Sequence, residues 1–302
     1  MLEIDVTRER RNLKVAVTGS AGLLGQGLVE VFRSRHNVAP LTHAEVDITN
    51  ADQVHIALAE FRPDVVVHAA AIPDLDACEA DPPKAVRVNV DGTQHVVDAA
   101  GAIGAAVAYI STDAVFDGKK QTPYIESDLT NPPTVYGRTK LLGEEIVRSF
   151  PSHWIFRVSV LFGPGKTNFI EKGLRKLATG QELVAAMDQL GSATYTLDAA
   201  RKIMELVEAK RYGLFHLSNV GACTRLELAQ RAAFLAGLDP KRVIGRPMDQ
   251  MGRLAKRLKY AVMEMNALEQ AGFSLPRRWE DALAEYVRAG SWGSGRAGAG
   301  SF

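Results

Sequence analysis

The sequence predicts an α/β protein, a doubly wound parallel sheet of Rossmann type with a smaller C-terminal substrate-binding lobe. Three observations predict it. Short β-rich runs alternate with helical patterns through the first half of the chain. The first of these runs leads into a glycine turn and then a helix. Several later runs are continuously apolar, as strands covered on both faces are.

The first strand is Leu13-Lys14-Val15-Ala16-Val17, and it ends in Thr18-Gly19-Ser20-Ala21-Gly22-Leu23-Leu24-Gly25. Leu23, Leu24, Leu28, Val31 and Phe32 then fall at helical spacing. Glycines spaced G-x-x-G-x-x-G between a strand and a helix suit a dinucleotide. They let the backbone turn sharply and approach a pyrophosphate, which meets the free N–H groups of the helix start. The next strand is Asn37 to Leu41, followed by Thr42 and His43. An acidic residue just after this strand would take the ribose 2′-hydroxyl of NAD. None stands there, and Glu45 and Asp47 come late, so the pattern leans to NADP(H) over NAD(H), with His43 placed to meet a 2′-phosphate.

A helix is expected over Asp52 to Phe61, then the apolar strand Asp64 to His68, which runs into Ala69, Ala70 and Ala71. These small residues let a cofactor lie close. Lys84 to Ala102 reads as one long amphipathic helix, with the polar Asn89 among valines, where it must find partners. Ala105 to Ile110 is a strand ending at Ser111 and Thr112, and Trp154 to Val158 is a fifth. In the second half, helices are expected over Asn168 to Thr179, Leu197 to Ala209, Arg225 to Leu235, Ala267 to Gly272 and Trp279 to Ala289. Gln181 to Thr196 reads as loop or short strand, and Gly213 to Ser218 as a strand. This gives a dinucleotide-binding domain over 1–160 and a substrate-binding lobe over 161–290, with 197–219 returning to the first domain. Residues 1–12 read as a loose charged arm and 291–302 as a flexible tail.

Between the fourth and fifth strands lies Tyr136-Gly-Arg-Thr-Lys140. On a helix, i and i+4 share a face. Tyrosines on amphipathic helices ordinarily pack, but a phenol beside an ammonium is also an acid/base pair, because a nearby cation favours the phenolate.

Composition excludes several classes. A net charge of +1 over 302 residues argues against a nucleic-acid binder. The basic segment from Arg253 to Lys259 reads as solvated surface, with phosphate binding as the minor reading. Two distant cysteines, Cys78 and Cys223, make neither a disulfide framework nor a metal site. With no apolar leader and no run near the ~20 residues of a membrane span, a cytoplasmic protein with no membrane partner is expected.

Together, Thr18-Gly19-x-x-Gly22-x-x-Gly25, Asn89, Thr112 and Tyr136-x-x-x-Lys140 resemble an extended short-chain dehydrogenase/reductase. STDAVFDG (111–118), PYIESD (123–128), NPPTVYGRTKLLGE (131–144), FRVSVLFGPG (156–165) and DQLGSAT (188–194) resemble the dTDP-4-dehydrorhamnose reductase family in particular. The resemblance implies NADP(H)-dependent reduction of a nucleotide-linked 4-keto-6-deoxy sugar. It implies Tyr136 as general acid, Lys140 lowering its pKa and holding the nicotinamide ribose, Thr112 on the substrate oxygen, and Asn89 fixing the relay or the lysine. It puts Gly19, Ala21, Gly22, Leu23, Leu24 and Gly25 on the pyrophosphate, Thr42, His43, Asp47 and Ile48 toward the adenosine, and Ala69 to Ala71 along the cofactor. Val160, Asn168, Gln189 and Arg257 would line the substrate. No metal is implied, and a homodimer through 84–103 and 136–149 is common in the superfamily.

The departures lie on the sugar side. Ala114 stands where the family usually has Tyr, Val160 where it often has Trp, Leu258 where it has Pro, and Ala261 where it has Ser. Ile72-Pro73-Asp74-Leu75 replaces a His-Thr-x-Val. Two alternatives stand beside the reductase: an NADP-binding regulatory protein of the same fold, like the methionine adenosyltransferase regulatory subunit, and a sugar-nucleotide epimerase or dehydratase.

Overall fold

The structure, a computed structural model, describes residues 12–290 and 292. The expected arm and tail lie outside the described residues, apart from Asn12 and Trp292. The Trp292 indole donates to the Val287 carbonyl at 2.7 Å.

In chain order the first half runs β1 (Lys14–Thr18), α1 (Leu23–Arg33), β2 (Asn37–Leu41), α2 (Ala51–Phe61), β3 (Val65–His68), α3 (Leu75–Ala80), α4 (Pro82–Val86), a π-helical turn (Arg87–Asp91), α5 (Gly92–Ala102), β4 (Ala106–Thr112), α6 (Val135–Arg148) and β5 (His153–Val158). The second half runs β6 (Val160–Phe162), α7 (Phe169–Ala178), β7 (Leu183–Ala186), β8 (Leu190–Gly191), β9 (Ala193–Tyr195), α8 (Thr196–Glu208), β10 (Gly213–Leu217), β11 (Cys223–Thr224), α9 (Arg225–Leu235), β12 (Val243–Arg246), β13 (Tyr260–Ala261), α10 (Asn266–Gln270) and α11 (Trp279–Ala289).

Six strands form one sheet in the order β10-β5-β4-β3-β1-β2, and every pair in it is parallel. The chain leaves β1 for β2 on one side, then crosses to β3 on the other. That makes the carboxyl ends of β1 and β3 the switch point, where open α/β sheets bind their ligands. Alternate side chains of β1 enter different cores. Val15 and Val17 pack with Leu24, Leu28 and Phe32 of α1 and Ile203 and Leu206 of α8. Ala16 packs with Val54 and Leu58 of α2 and Val96 and Ala100 of α5. The sheet is thus covered on both faces, which accounts for its continuous apolar runs.

The smaller sheets β11-β8-β13, β12-β7 and β6-β9 come from the second half. Segment 181–196 supplies β7, β8 and β9, while β10 returns to the main sheet beside β5. Two details differ from the sequence expectation. The helix expected over Lys84 to Ala102 is two α-helical pieces joined by the π turn, which rotates Asn89 into the interior. Helix α3 was not expected. Asp74 caps it, accepting from the Ala77 N–H at 3.0 Å. Among the described residues no helix is long and apolar enough to cross a membrane.

Candidate active site

The glycine turn follows β1 directly. Gly19 has φ +66, and a Cβ there would lie 2.6 Å from the Ala70 backbone. Only glycine lets the turn lie against Ala69 and Ala70 at the end of β3, with Ala71 next in the chain. A Cβ at Gly25 would lie 2.1 Å from the Gly19 carbonyl oxygen, so the turn also closes on itself. Gly22 is the N-cap of α1; no side chain caps the helix, and its first turn holds no acidic residue. The positive end of α1 is left for an anion, which fits the pyrophosphate of a dinucleotide. Ala21 is exposed and Leu23 half-buried, whereas the Leu24 side chain belongs to the core.

Beyond β2 the two late carboxylates are turned to the backbone. Glu45 accepts from the Thr42 N–H at 2.7 Å. Asp47 accepts from the Thr49 N–H and hydroxyl, both at 2.9 Å, and these bonds hold its carboxyl below the usual range. His43 is exposed, 3.9 Å from Asp47, and Arg87 lies close enough to act on the same carboxylate. Two cationic or protonatable groups and no free carboxylate suit a phosphorylated ribose. The sequence reading missed Arg87, because only the π turn brings it to this corner. The Ile48 side chain is buried, tight against Gly92.

The chemistry gathers at the end of β4. Thr134 caps α6, accepting from the Gly137 N–H at 3.0 Å. A Cβ at Gly137 would lie 2.2 Å from the Ala114 carbonyl oxygen. The first turn of α6 therefore presses on the chain just past Thr112 and sets the Tyr136 phenol beside the Thr112 hydroxyl. Lys140, one turn on, is 3% exposed. Its Nζ lies 3.9 Å from the centroid of the Tyr109 ring. Behind it Glu144 is fully buried, accepting from the Ser111 hydroxyl at 2.6 Å, from Arg157 through two bonds of 2.8 Å, and from Arg148 at 2.7 Å.

Burial pushes Lys140 down to about 7, against the pull of Glu144. Burial would raise Glu144, but Arg157, Ser111 and Arg148 together hold its carboxyl below the usual range. The Tyr136 phenol lies above its ordinary value, first through burial and then through Asp113 and Cys78, with Thr112 pulling it back. This corrects the expectation that Lys140 lowers Tyr136. The ammonium faces the Tyr109 ring instead, and desolvation decides the sign. Tyr136 accordingly carries its proton at neutral pH, the form a proton donor needs.

Asn89 is 1% exposed. Its side-chain oxygen accepts from the Ile72 N–H at 2.8 Å, and its amide nitrogen donates to the Ile72 carbonyl at 3.3 Å and the Thr139 hydroxyl at 3.0 Å. It ties the loop after β3 to the helix turn between Tyr136 and Lys140, and reaches the lysine only through Thr139. Thr112 donates to Asp113 at 3.0 Å and accepts from the Ala114 N–H at 3.1 Å; Ser159 donates to the other Asp113 oxygen at 2.5 Å.

On the substrate side, Val160, Gln189, Asp113 and Arg225 line a small cavity of about 20 Å³. Arg257 lines a larger one of about 730 Å³ between residues 117–121 and 248–260. Asn168 lies elsewhere. Its oxygen caps α7 through the Ile170 and Glu171 N–H groups, and its nitrogen donates to the Gly163 carbonyl and the Tyr286 hydroxyl, each at 2.9 Å. Its hydrogen-bonding capacity is used up, so it packs helices and does not face the pocket. Asp113 and Arg225 were missed as site residues. A cation directly after the cap residue Thr224 was the available signal for the second.

A doubly wound sheet, a glycine cradle at its switch point and a Thr-Tyr-Lys cluster beside it define an extended short-chain dehydrogenase/reductase, an NAD(P)-dependent oxidoreductase. The chain belongs to the RmlD substrate binding domain family, whose profile matches residues 13–291. It is 36% identical over 277 residues to the spore coat polysaccharide biosynthesis protein SpsK of Bacillus subtilis, covering 91% of this chain and 97% of that one. It is 36% identical over 277 residues to a dTDP-4-dehydrorhamnose reductase of Streptomyces griseus, covering 89% and 91%. The crystal structure of a dTDP-4-dehydrorhamnose reductase from Bacillus anthracis, in complex with NADP, superimposes with a TM-score of 0.89 at 31% identity, covering 93% of this chain and 100% of that one.

Proposed function

We propose that the protein reduces the 4-keto group of a dTDP-linked 4-keto-6-deoxy sugar with NADPH. The observation that carries this is Tyr136 set beside the Thr112 hydroxyl, with Lys140 one helix turn on, at the strand ends that border the glycine cradle. NADPH, when bound, supplies the hydride. The Thr112 hydroxyl turns its one O–H from Asp113 to the carbonyl oxygen and fixes its direction. As the carbon–oxygen π pair moves onto that oxygen, Tyr136 gives it a proton and is left as phenolate. Lys140 in its charged form, one helix turn on, offsets the negative charge of that phenolate and holds the ribose hydroxyls; Asn89 keeps the helix turn between them in place. His43 and Arg87 take the 2′-phosphate, which supports NADP(H) as the preferred cofactor with NAD(H) as second choice.

The relatives named as reductases favour this reading over the regulatory and epimerase readings. A homodimer through α5 and α6 belongs to the same proposal, supported by the exposed Leu142 on α6. So does a cytoplasmic location, supported by the free thiols of Cys78 and Cys223.

The test is oxidation of NADPH with dTDP-4-dehydrorhamnose, followed by absorbance, in wild type and Tyr136→Phe. Wild type turns over, and the variant loses roughly 10²–10⁴-fold in kcat while still binding NADPH. Equal rates in the two would remove Tyr136 from its role. No oxidation by a wild type that binds NADPH would remove the substrate.

A further inference from the structure

Lys140 is a cation in a place that disfavours one. Its side chain is 3% exposed, and burial pushes it down to about 7. Among the described residues no hydrogen bond or ion pair takes the ammonium. Glu144, one turn on, acts on it from a distance, but the Glu144 oxygens are already taken by Ser111, Arg157 and Arg148. What the ammonium meets is the Tyr109 ring, with Nζ over it at 3.9 Å from the centroid.

Tyr109 is fixed from several sides. It is fully buried in β4, between β3 and β5. Its hydroxyl donates to the Lys140 carbonyl at 3.3 Å. A Cβ at Gly143 would collide with that hydroxyl, so the glycine makes its room. Burial, then Glu144 and Tyr136, hold the phenol well above its ordinary value, and the ring stays neutral. The His68 ring leans on it, centroids 5.7 Å apart. Thr93 gives its one O–H to the Asn89 carbonyl at 2.7 Å, so His68 Nε2 donates to the Thr93 oxygen at 3.1 Å, and Nδ1 accepts from the Thr18 hydroxyl at 2.7 Å. His68 is therefore neutral too, and burial followed by Lys140 keeps it so. Lys140 thus has neutral His68 on the β3 side and neutral Tyr109 on the β4 side. Tyr136 and Glu144 stand one turn to either side on its own helix, with Arg157 of β5 behind Glu144.

A ring face does here what a carboxylate could not. Its quadrupole attracts the cation, and more strongly once water is excluded. It leaves the N–H bonds of the ammonium free, and those are the bonds that ribose hydroxyls need. We propose that Tyr109 is a positioning residue of the reduction: its ring face holds the Lys140 ammonium in the charged form and leaves its N–H bonds free for the cofactor. The assignment rests on the reductase reading and extends it to a residue outside the Thr-Tyr-Lys cluster.

The test is an NMR titration of the cofactor-free protein carrying isotope-labelled lysine, with the Lys140 signal identified by its loss in Lys140→Met. In wild type the Lys140 ε-methylene protons lie upfield of those of the other lysines, shielded by the Tyr109 ring current, and the midpoint is about 7. Tyr109→Leu loses the upfield displacement and lowers the midpoint by about one pH unit, the size of a desolvated cation–π contact. Its kcat/KM for NADPH at about pH 7 falls roughly fivefold, following the charged fraction of Lys140. Tyr109→Phe keeps the ring, and with it the displacement, the midpoint and most of the rate. A tyrosine that only packs would cost the leucine variant stability and leave the midpoint where it was. That result overturns the proposal, as does a phenylalanine variant that titrates like the leucine one. A wild-type Lys140 signal with no upfield displacement overturns it as well, and needs no variant to fold. The titration involves no substrate, so NADPH oxidation with the keto sugar decides the reductase reading separately.

Discussion

Lys140 should make the cofactor-free protein less stable than it would be without that charge, and the penalty should fade as pH rises. The side chain is 3% exposed, and burial lowers its pKa from 10.5 to about 7. The unfolded chain therefore binds more protons than the folded one between those values, and stability rises with pH across that window. At about pH 7 the folded lysine is half protonated and the unfolded one fully so, which costs about 4 kcal/mol; at about pH 9 the cost is about 2 kcal/mol. Lys140→Met keeps the stem and removes the charge. Urea unfolding of wild type and variant at the two pH values isolates the lysine, because every other titrating group is common to both. The variant should be the more stable at neutral pH, with an advantage that shrinks by about 2 kcal/mol at the higher pH, and it should have no activity. An advantage that does not change with pH would show that the ammonium is not desolvated, and would undo the account of the site's electrostatics.

Two further outcomes follow from the same helix. Glu144→Gln leaves Arg157 buried without its carboxylate and should cost about 3–5 kcal/mol in urea unfolding. It should also move the pH window of Lys140 further down, since Glu144 is the group that holds it up. Gly143→Ala puts a Cβ 2.0 Å from the buried Tyr109 hydroxyl. It should destabilise by about 1–3 kcal/mol despite the better helix propensity of Ala, and adding Tyr109→Phe should return part of that loss.

Much of the sheet could be read from local pattern. Strand β3, with Val65, Val66 and Val67, is apolar whichever face is considered, and the turn from Thr18 to Gly25 carries its own geometry. The π turn could not be read in this way. It depends on Asn89 finding Ile72 and Thr139, partners distant in sequence. Asn168 shows the opposite failure. As an Asn ahead of an amphipathic run it carried a plain capping signal, and the family resemblance drew attention to the substrate instead. The sign of the Tyr136 shift could not come from the spacing of two residues either. It depends on what the Lys140 ammonium faces, and Tyr109 was legible only as a strand residue. Arg225 and Asp113 meet across elements more than a hundred residues apart, which no local window contains.

The buried anchor at Glu144 has a consequence for how such a protein can diverge. It fastens α6 to β4 and β5, so the groups that move the proton belong to a wall that tolerates little change. Val160, Gln189, Arg225 and Arg257 sit on a short strand, a helix start and two connecting segments of the other wall. Substitutions there can reshape what is accepted without disturbing how it is reduced. Val160, Leu258 and Ala261 fit that pattern: a new lock face can be cut while the bolt stays as it was.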